Sequence, residues 1–142
     1  MTKISKLFLG IAVVGLTSCS SMPDWMPGSG AIGVKLTGAE EVPAVNAQGS
    51  GSGSFRVASD GAITGSVTTK DVEGTMAHIH RGAKGANGPI VVPLDKNGDT
   101  YTVPAGRKLT PQQMDDLKAG NLYVNVHTNR NKGGEVRGQL TP

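Results

Sequence analysis

From Ala31 to its C-terminus the chain is written in short runs of alternating apolar and polar residues, broken at close intervals by Gly, Asn and Asp. This pattern constrains the fold more than any other feature. Side chains alternate across a β-strand, so a run of period two buries one face and wets the other, and frequent turn residues favour short antiparallel connections. Strands are expected over residues 31–37, 53–58, 62–69, 75–81, 89–94, 99–103, 121–128 and 134–140. Asp60-Gly61 and Asn97-Gly98 mark hairpin turns, because glycine tolerates the positive φ that tight turns need. The stretch "QGSGSGSF", residues 48–55, has the composition of a flexible linker, but its place in a regular strand series favours a Gly-rich loop running into a strand. Aromatic residues make up only 4% of the chain, so the core must rest on Val, Ile, Leu and Ala.

One helix interrupts the series. In "LTPQQMDDLKAG", Thr110 is placed to cap, Pro111 suits the first helical position and Gln113 can reach back to complete a capping box. Leu109 and Met114 are spaced as a hydrophobic staple, and Gly120 follows Lys118 as a C-terminal stop. Met114 and Leu117 give the helix one narrow apolar face, expected to lid an open end of the sheets. The fold class expected is all-β: an antiparallel, Greek-key-like β-sandwich with one short helix at about residues 111–119.

The parity of residue numbers sorts strand side chains by face. In residues 121–128, Leu122, Val124 and Val126 oppose Tyr123, Asn125 and His127; in 75–81, Ala77 and Ile79 oppose Met76, His78 and His80. The last strand sets Val136 and Leu140 against Glu135, Arg137 and Gln139. A hairpin across "NRNKGG" that opposes His127 to Glu135 and Asn125 to Arg137 keeps both faces consistent. All three histidines of the chain therefore fall on one polar face. Two histidines two apart on a strand hold their Cβ atoms about 6 to 7 Å apart, a span that one ion with M–N bonds of about 2 Å can bridge. His78, His80 and His127 are the candidate metal ligands, with Met76 as a soft thioether on the same face and Glu135 as a fourth ligand or a partner to His127. Imidazoles without thiolate suit Cu(II), Ni(II) or Zn(II), copper binding tightest. The plainer reading is a histidine pair on a solvated face, or histidines satisfied by hydrogen bonds on a partly buried one.

The N-terminus reads as an address. Lys3 and Lys6 precede an apolar run from Leu7 to Leu16, too short to span a bilayer, and then come small residues. "LTSC", residues 16–19, resembles the lipobox of bacterial lipoproteins, which implies cleavage after residue 18 and lipidation of Cys19; the alternative for this sole cysteine is a free thiol. Ser20 beside it implies transport to the outer membrane. The expected organisation is a signal peptide over 1–18, a lipidated Cys19 and tether over 19–30, and one domain over 31–142. Met22, Trp25 and Met26 fit a tether resting on a membrane interface, though a soft-metal or docking motif shares that composition.

Charge and composition exclude several function classes. Without Lys3 and Lys6, twelve basic residues face eleven acids, so neither the electrostatic footprint of a nucleic-acid binder nor its aromatic platform is present. The loop "RGAKGANGP" lacks the Gly-Lys-Ser/Thr ending of a phosphate loop and opens no helix. No nucleophile stands in a hydrolase elbow, and Asp115 and Asp116 are explained by solvation on a helix surface.

The segments "LTGAEEVPAV" (36–45), "AHIHRGAKGANGPIVVPL" (77–94), "LTPQQMDDLKAGNLYVNVHT" (109–128) and "GGEVRGQL" (133–140) resemble the CHRD domain, found in chordin and alone in many bacterial secreted proteins. In order and spacing they cover nearly all of residues 31–142. The resemblance implies a secreted β-sandwich of immunoglobulin size; in chordin the domains sit in an antagonist of bone morphogenetic proteins, a binding role. The HIH and NVHT segments also look like the metal-binding strands of copper/zinc superoxide dismutases, which need about twice as many histidines plus an aspartate, so a single copper site is the most this fold-level likeness carries. Two functions follow as expectations. One is an envelope-anchored lipoprotein on the periplasmic face of the outer membrane, binding copper in preference to zinc for storage, delivery or tolerance, with redox chemistry at the site left open and no enzymatic activity assigned. The other is a module whose polar face and loop, with Arg81, Lys84 and Arg137, engage a protein or glycan of the cell envelope.

Overall fold

The protein's computed structural model describes residues 30–142. The expected signal segment 1–18, Cys19 and the tether as far as Ser29 lie outside the described residues. Among the described residues, eight strands form in chain order: β1 (Ile32–Thr37), β2 (Ser50–Val57), β3 (Ile63–Lys70), β4 (Gly74–Arg81), β5 (Ile90–Asn97), β6 (Thr100–Thr102), β7 (Leu122–Thr128) and β8 (Val136–Leu140). One helix, α1 (Pro111–Lys118), and a 3-10 turn, Gly38–Glu40, complete the elements. Every strand pair is antiparallel, and the hairpin glycines Gly61 and Gly98 have positive φ as expected.

The strands run β1-β2-β3-β6-β5-β4-β7-β8 around a closed barrel, with β8 returning to β1 where Thr37 faces Arg137. The expected Greek-key-like sandwich is corrected to this barrel. Alternation in the sequence serves both architectures, and the choice is made where β1 and β8 meet. A side chain at Gly138 would collide with the backbone carbonyl of Lys35 on β1, so only glycine lets the two end strands approach and close the ring. Closure removes the sheet edges that a sandwich leaves open. A second correction concerns residues 48–55. Ser50 onward is strand rather than loop, because the glycines of β2 lie on the crowded inner side, where Gly53 packs against the backbone of Ser66 and Val67.

The inner face carries the aliphatic residues that parity assigned to it, Ala77, Ile79, Leu122, Val124, Val126, Val136 and Leu140, and with them Val34, Leu36, Ile63, Val67, Val92, Phe55 and Tyr101 from the other strands. Helix α1 starts on the expected capping box, with Gln113 N–H donating to Thr110 Oγ1 at 3.2 Å and Thr110 N–H donating to Gln113 Oε1 at 2.9 Å. Its Leu117 and Met114, together with Leu109 before it, pack against the core and cover part of it. Asp116 departs from its expected surface position: it is buried and pairs with Arg81 Nε at 2.8 Å. Among the described residues no helix is long and apolar enough to cross a membrane.

Candidate metal centre

β4 and β7 are neighbours, which sequence parity could not establish. Their register pairs Ala77 with Val126 and Ile79 with Val124 on the inner side, and Met76 with His127, His78 with Asn125 and His80 with Tyr123 on the outer. On the other flank β7 pairs Asn125 with Arg137 of β8, the expected register. The outer face at this place is covered, and the picture of an open polar face is corrected. Loops 38–47, 82–89 and 129–135 fold over it and tie to one another and to the strands; Asn87 Nδ2 donates to Val42 O at 2.7 Å and Lys84 reaches Glu40 at 3.2 Å. His80, Tyr123, Asn125, His127 and Arg137 are all buried on the outside of the barrel wall.

The three imidazoles converge. One ring nitrogen from each of His78, His80 and His127 lies within 4.8 Å of the others, a group able to hold a metal ion. Backbone carbonyls orient two of the rings: His80 Nδ1 is 2.9 Å from Gly88 O and His127 Nδ1 is 2.8 Å from Lys132 O. A carbonyl only accepts, so in each ring Nδ1 carries the proton and the Nε2 lone pair is left for another partner. His127 Nε2 meets His78 Nδ1 at 3.0 Å, whereas the buried His80 Nε2 has no hydrogen-bond partner among the described residues. Burial foremost, then the proximity of His127 and His80, pushes the His78 pKa down to about 4, and burial likewise lowers that of His80. The His78 and His80 rings are thus neutral at neutral pH, the state in which an imidazole ligates.

A stack supports His80. Its ring lies parallel to Tyr123, 5.0 Å between centroids and 6° between planes, and the Arg137 guanidinium sits 3.4 Å above the same Tyr123 ring. β4 and β8 flank β7 on opposite sides, so the phenol is held between imidazole and guanidinium. Arg137 was expected on an exposed face that engages an envelope protein or glycan; at 1% exposure it is instead a buried clamp. Its Nη2 donates to Ala83 O at 3.1 Å and Ala86 O at 2.9 Å, and its Nη1 to Asn87 Oδ1 at 3.2 Å. Gln139 Nε2 adds a bond to Gly82 O at 2.7 Å, and Gly88 N–H donates to Tyr123 Oη at 3.2 Å. The loop 82–89 is in this way fastened to β7 and β8, and with it Gly88, whose carbonyl sets the His80 tautomer.

Of the two auxiliary candidates, Met76 is half exposed on the histidine face, opposite His127 in the register. Glu135 is spent elsewhere: its Oε2 accepts from Thr128 Oγ1 at 2.6 Å and from Asn131 Nδ2 at 3.1 Å, and Lys132 O takes its expected place beside His127. The buried carboxyl of this face is Glu41, from loop 38–47. Burial raises its pKa to about 7, against the pull of the Arg137 guanidinium and the Asn125 amide. Sequence parity had placed Tyr123 and Asn125 on the histidine face without assigning them a part, and Arg137 there only as a docking charge. Glu41 carries no periodic signal, since it reaches the site from a loop distant in sequence.

No curated protein and no solved structure matches this chain. A family's sequence pattern does match, over residues 32–140, a span that takes in every strand of the barrel, the three histidines and Glu41. The chain belongs to the CHRD domain family.

Proposed function

We propose that this chain is an envelope-anchored lipoprotein, held by acyl chains on Cys19 at the periplasmic face of the outer membrane, whose barrel binds a copper ion through His78, His80 and His127. The observation that carries the metal reading is the convergence of three imidazole nitrogens within 4.8 Å, two of the rings oriented by backbone carbonyls. Second partners of this kind preset the ligating nitrogen and raise its basicity. His78 Nδ1 and His127 Nε2, 3.0 Å apart, are already near the separation of about 3.3 Å that two ligands take on a tetrahedral ion with bonds of about 2.0 Å. A cation entering there replaces the proton those two nitrogens share. A nitrogen donor set without thiolate favours copper over zinc by the stability order, and the thioether of Met76 at the rim suits Cu(I). Storage, delivery or tolerance requires binding and release alone, so no catalytic role is assigned.

The test is calorimetric titration of Cu(II), then Zn(II), into the untagged chain from Ser20 onward, beside His80→Ala. The barrel closes and buries its core within residues 32–140, so this chain contains the whole fold. One-to-one submicromolar copper binding, lost in the variant, is the expected result. Absence of binding by the folded protein refutes the reading and leaves a protein- or glycan-docking module of the envelope.

A further inference from the structure

Four buried side-chain polar atoms among the described residues have no hydrogen-bond partner: Glu41 Oε1, His80 Nε2, Asp116 Oδ2 and Asn125 Oδ1. Asp116 Oδ2 faces Arg81 Nε at 2.8 Å and so has a charged neighbour. The other three belong to one place. Asn125 stands opposite His78 in the β4–β7 register and interacts with both His80 and Glu41. At Gly134 a side chain would run into Glu41 Oε1 and Asn125 Nδ2 together, so carboxyl and amide converge against that glycine.

The orientation of each group follows from its other contacts. Asn125 Nδ2 donates to Gly133 O at 3.2 Å, which turns Oδ1 away from that carbonyl and makes it an acceptor only. The His80 tautomer set by Gly88 O makes Nε2 an acceptor too. Neither can satisfy the other. Leaving a buried acceptor unmet costs about 1 to 3 kcal/mol, and adjacent acceptors are worse, so such a pair is retained where a cation or a donor sits between them.

We propose that the Asn125 amide oxygen is a fourth donor of the metal centre, completing a three-nitrogen, one-oxygen set with His78, His80 and His127, and that the Gly133 carbonyl, accepting from Asn125 Nδ2, holds the amide in the ligating orientation. The inference rests on the tri-histidine reading and adds to it a ligand that neither the histidine spacing nor the position of Glu135 indicated. An amide oxygen beside three imidazoles is a harder donor than thioether, so this set binds Cu(II) and Zn(II) and leaves Met76 for the reduced ion at the rim.

The test uses the chain from Ser20 onward as wild type, Asn125→Ala, Asn125→Asp and His80→Ala, each checked for cooperative melting, with Cu(II) paramagnetic resonance spectra and Zn(II) affinities as readouts. Asn125→Ala should weaken Zn(II) binding by about 10- to 100-fold and shift the Cu(II) hyperfine splitting, whereas Asn125→Asp, which keeps an oxygen at the same place, should retain affinity with its own altered spectrum. A merely structural asparagine would change the melting point and leave the spectrum alone. If Asn125→Ala does not fold, the isosteric Asn125→Asp decides: an unchanged spectrum overturns the proposal. Wild-type spectra in every folded Asn125 variant, with binding lost in His80→Ala, overturn the fourth donor and leave the three histidines standing. Failure of the wild type to bind either ion overturns both.

Discussion

Replacing Arg137 by Met tests whether the buried guanidinium holds the outer cover of the barrel together. Methionine keeps most of the aliphatic volume, so the loss is chiefly polar. Four charge-assisted hydrogen bonds disappear, to Ala83 O, Ala86 O, Asn87 Oδ1 and, at the longest distance, Gln139 Oε1, together with the contact over Tyr123. At about 1.5 to 3 kcal/mol each, the bonds sum to several kcal/mol gross. Removing a buried cation returns much of that, because its desolvation penalty is also of several kcal/mol. The loop carbonyls belong to exposed residues and regain water when the loop lifts. The net expectation is a destabilisation of about 2 to 4 kcal/mol. For a domain of this size that is a fall in melting temperature of roughly 8 to 16 °C, at about 4 °C per kcal/mol. Thermal unfolding followed by circular dichroism measures it, and hydrogen exchange of the amides in loop 82–89 localises it, since those amides should open before the barrel does. Arg137→Lys should not rescue, because an ammonium can neither fork between two carbonyls nor lie flat on the phenol. A melting point within about 3 °C of wild type, with unchanged exchange in the loop, would refute the clamp.

Glu41 makes the protein's stability depend on pH. Its folded pKa, about 7, lies above its ordinary 4.5, so the folded state prefers the protonated carboxyl, and the associated stability is full below pH 4.5 and is lost as pH rises through 7. The loss is about 2 to 3 kcal/mol, and Glu41→Gln should abolish this slope in urea unfolding measured from pH 4.5 to 8.5. Gly138→Ala should destabilise by about 2 kcal/mol or more, because its Cβ meets the Lys35 carbonyl at the seam; a neutral effect in chemical denaturation would show that the strands can part without loss. Thr110→Ala removes the capping box of α1 and should cost about 1 kcal/mol in the same assay, with metal affinity unchanged since the cap bonds run only between Thr110 and Gln113.

The local alphabet of this protein was legible without a structure because it is decided by neighbours along the chain. Alternation set the two faces of β4, β7 and β8, glycine placed the hairpins, and Thr110, Pro111 and Gln113 dictated the start of α1; each is a property of a few adjacent residues and survives whatever they pack against. The same alternation gathered His78, His80 and His127 on one side. Tertiary structure decided what contact across long separations decides. It closed β1 on β8 into a barrel where period two served a sandwich equally well, and it made β4 and β7 neighbours. It also laid three loops over the outer face, so that residues marked as polar and outward became a second interior. That covering is why Arg137 is a buried clamp rather than a surface charge and why Glu41 arrives beside Asn125. Alternation tells which way a side chain points, but burial depends on what lies over it, and that partner is supplied by segments whose distance along the chain carries no periodic trace.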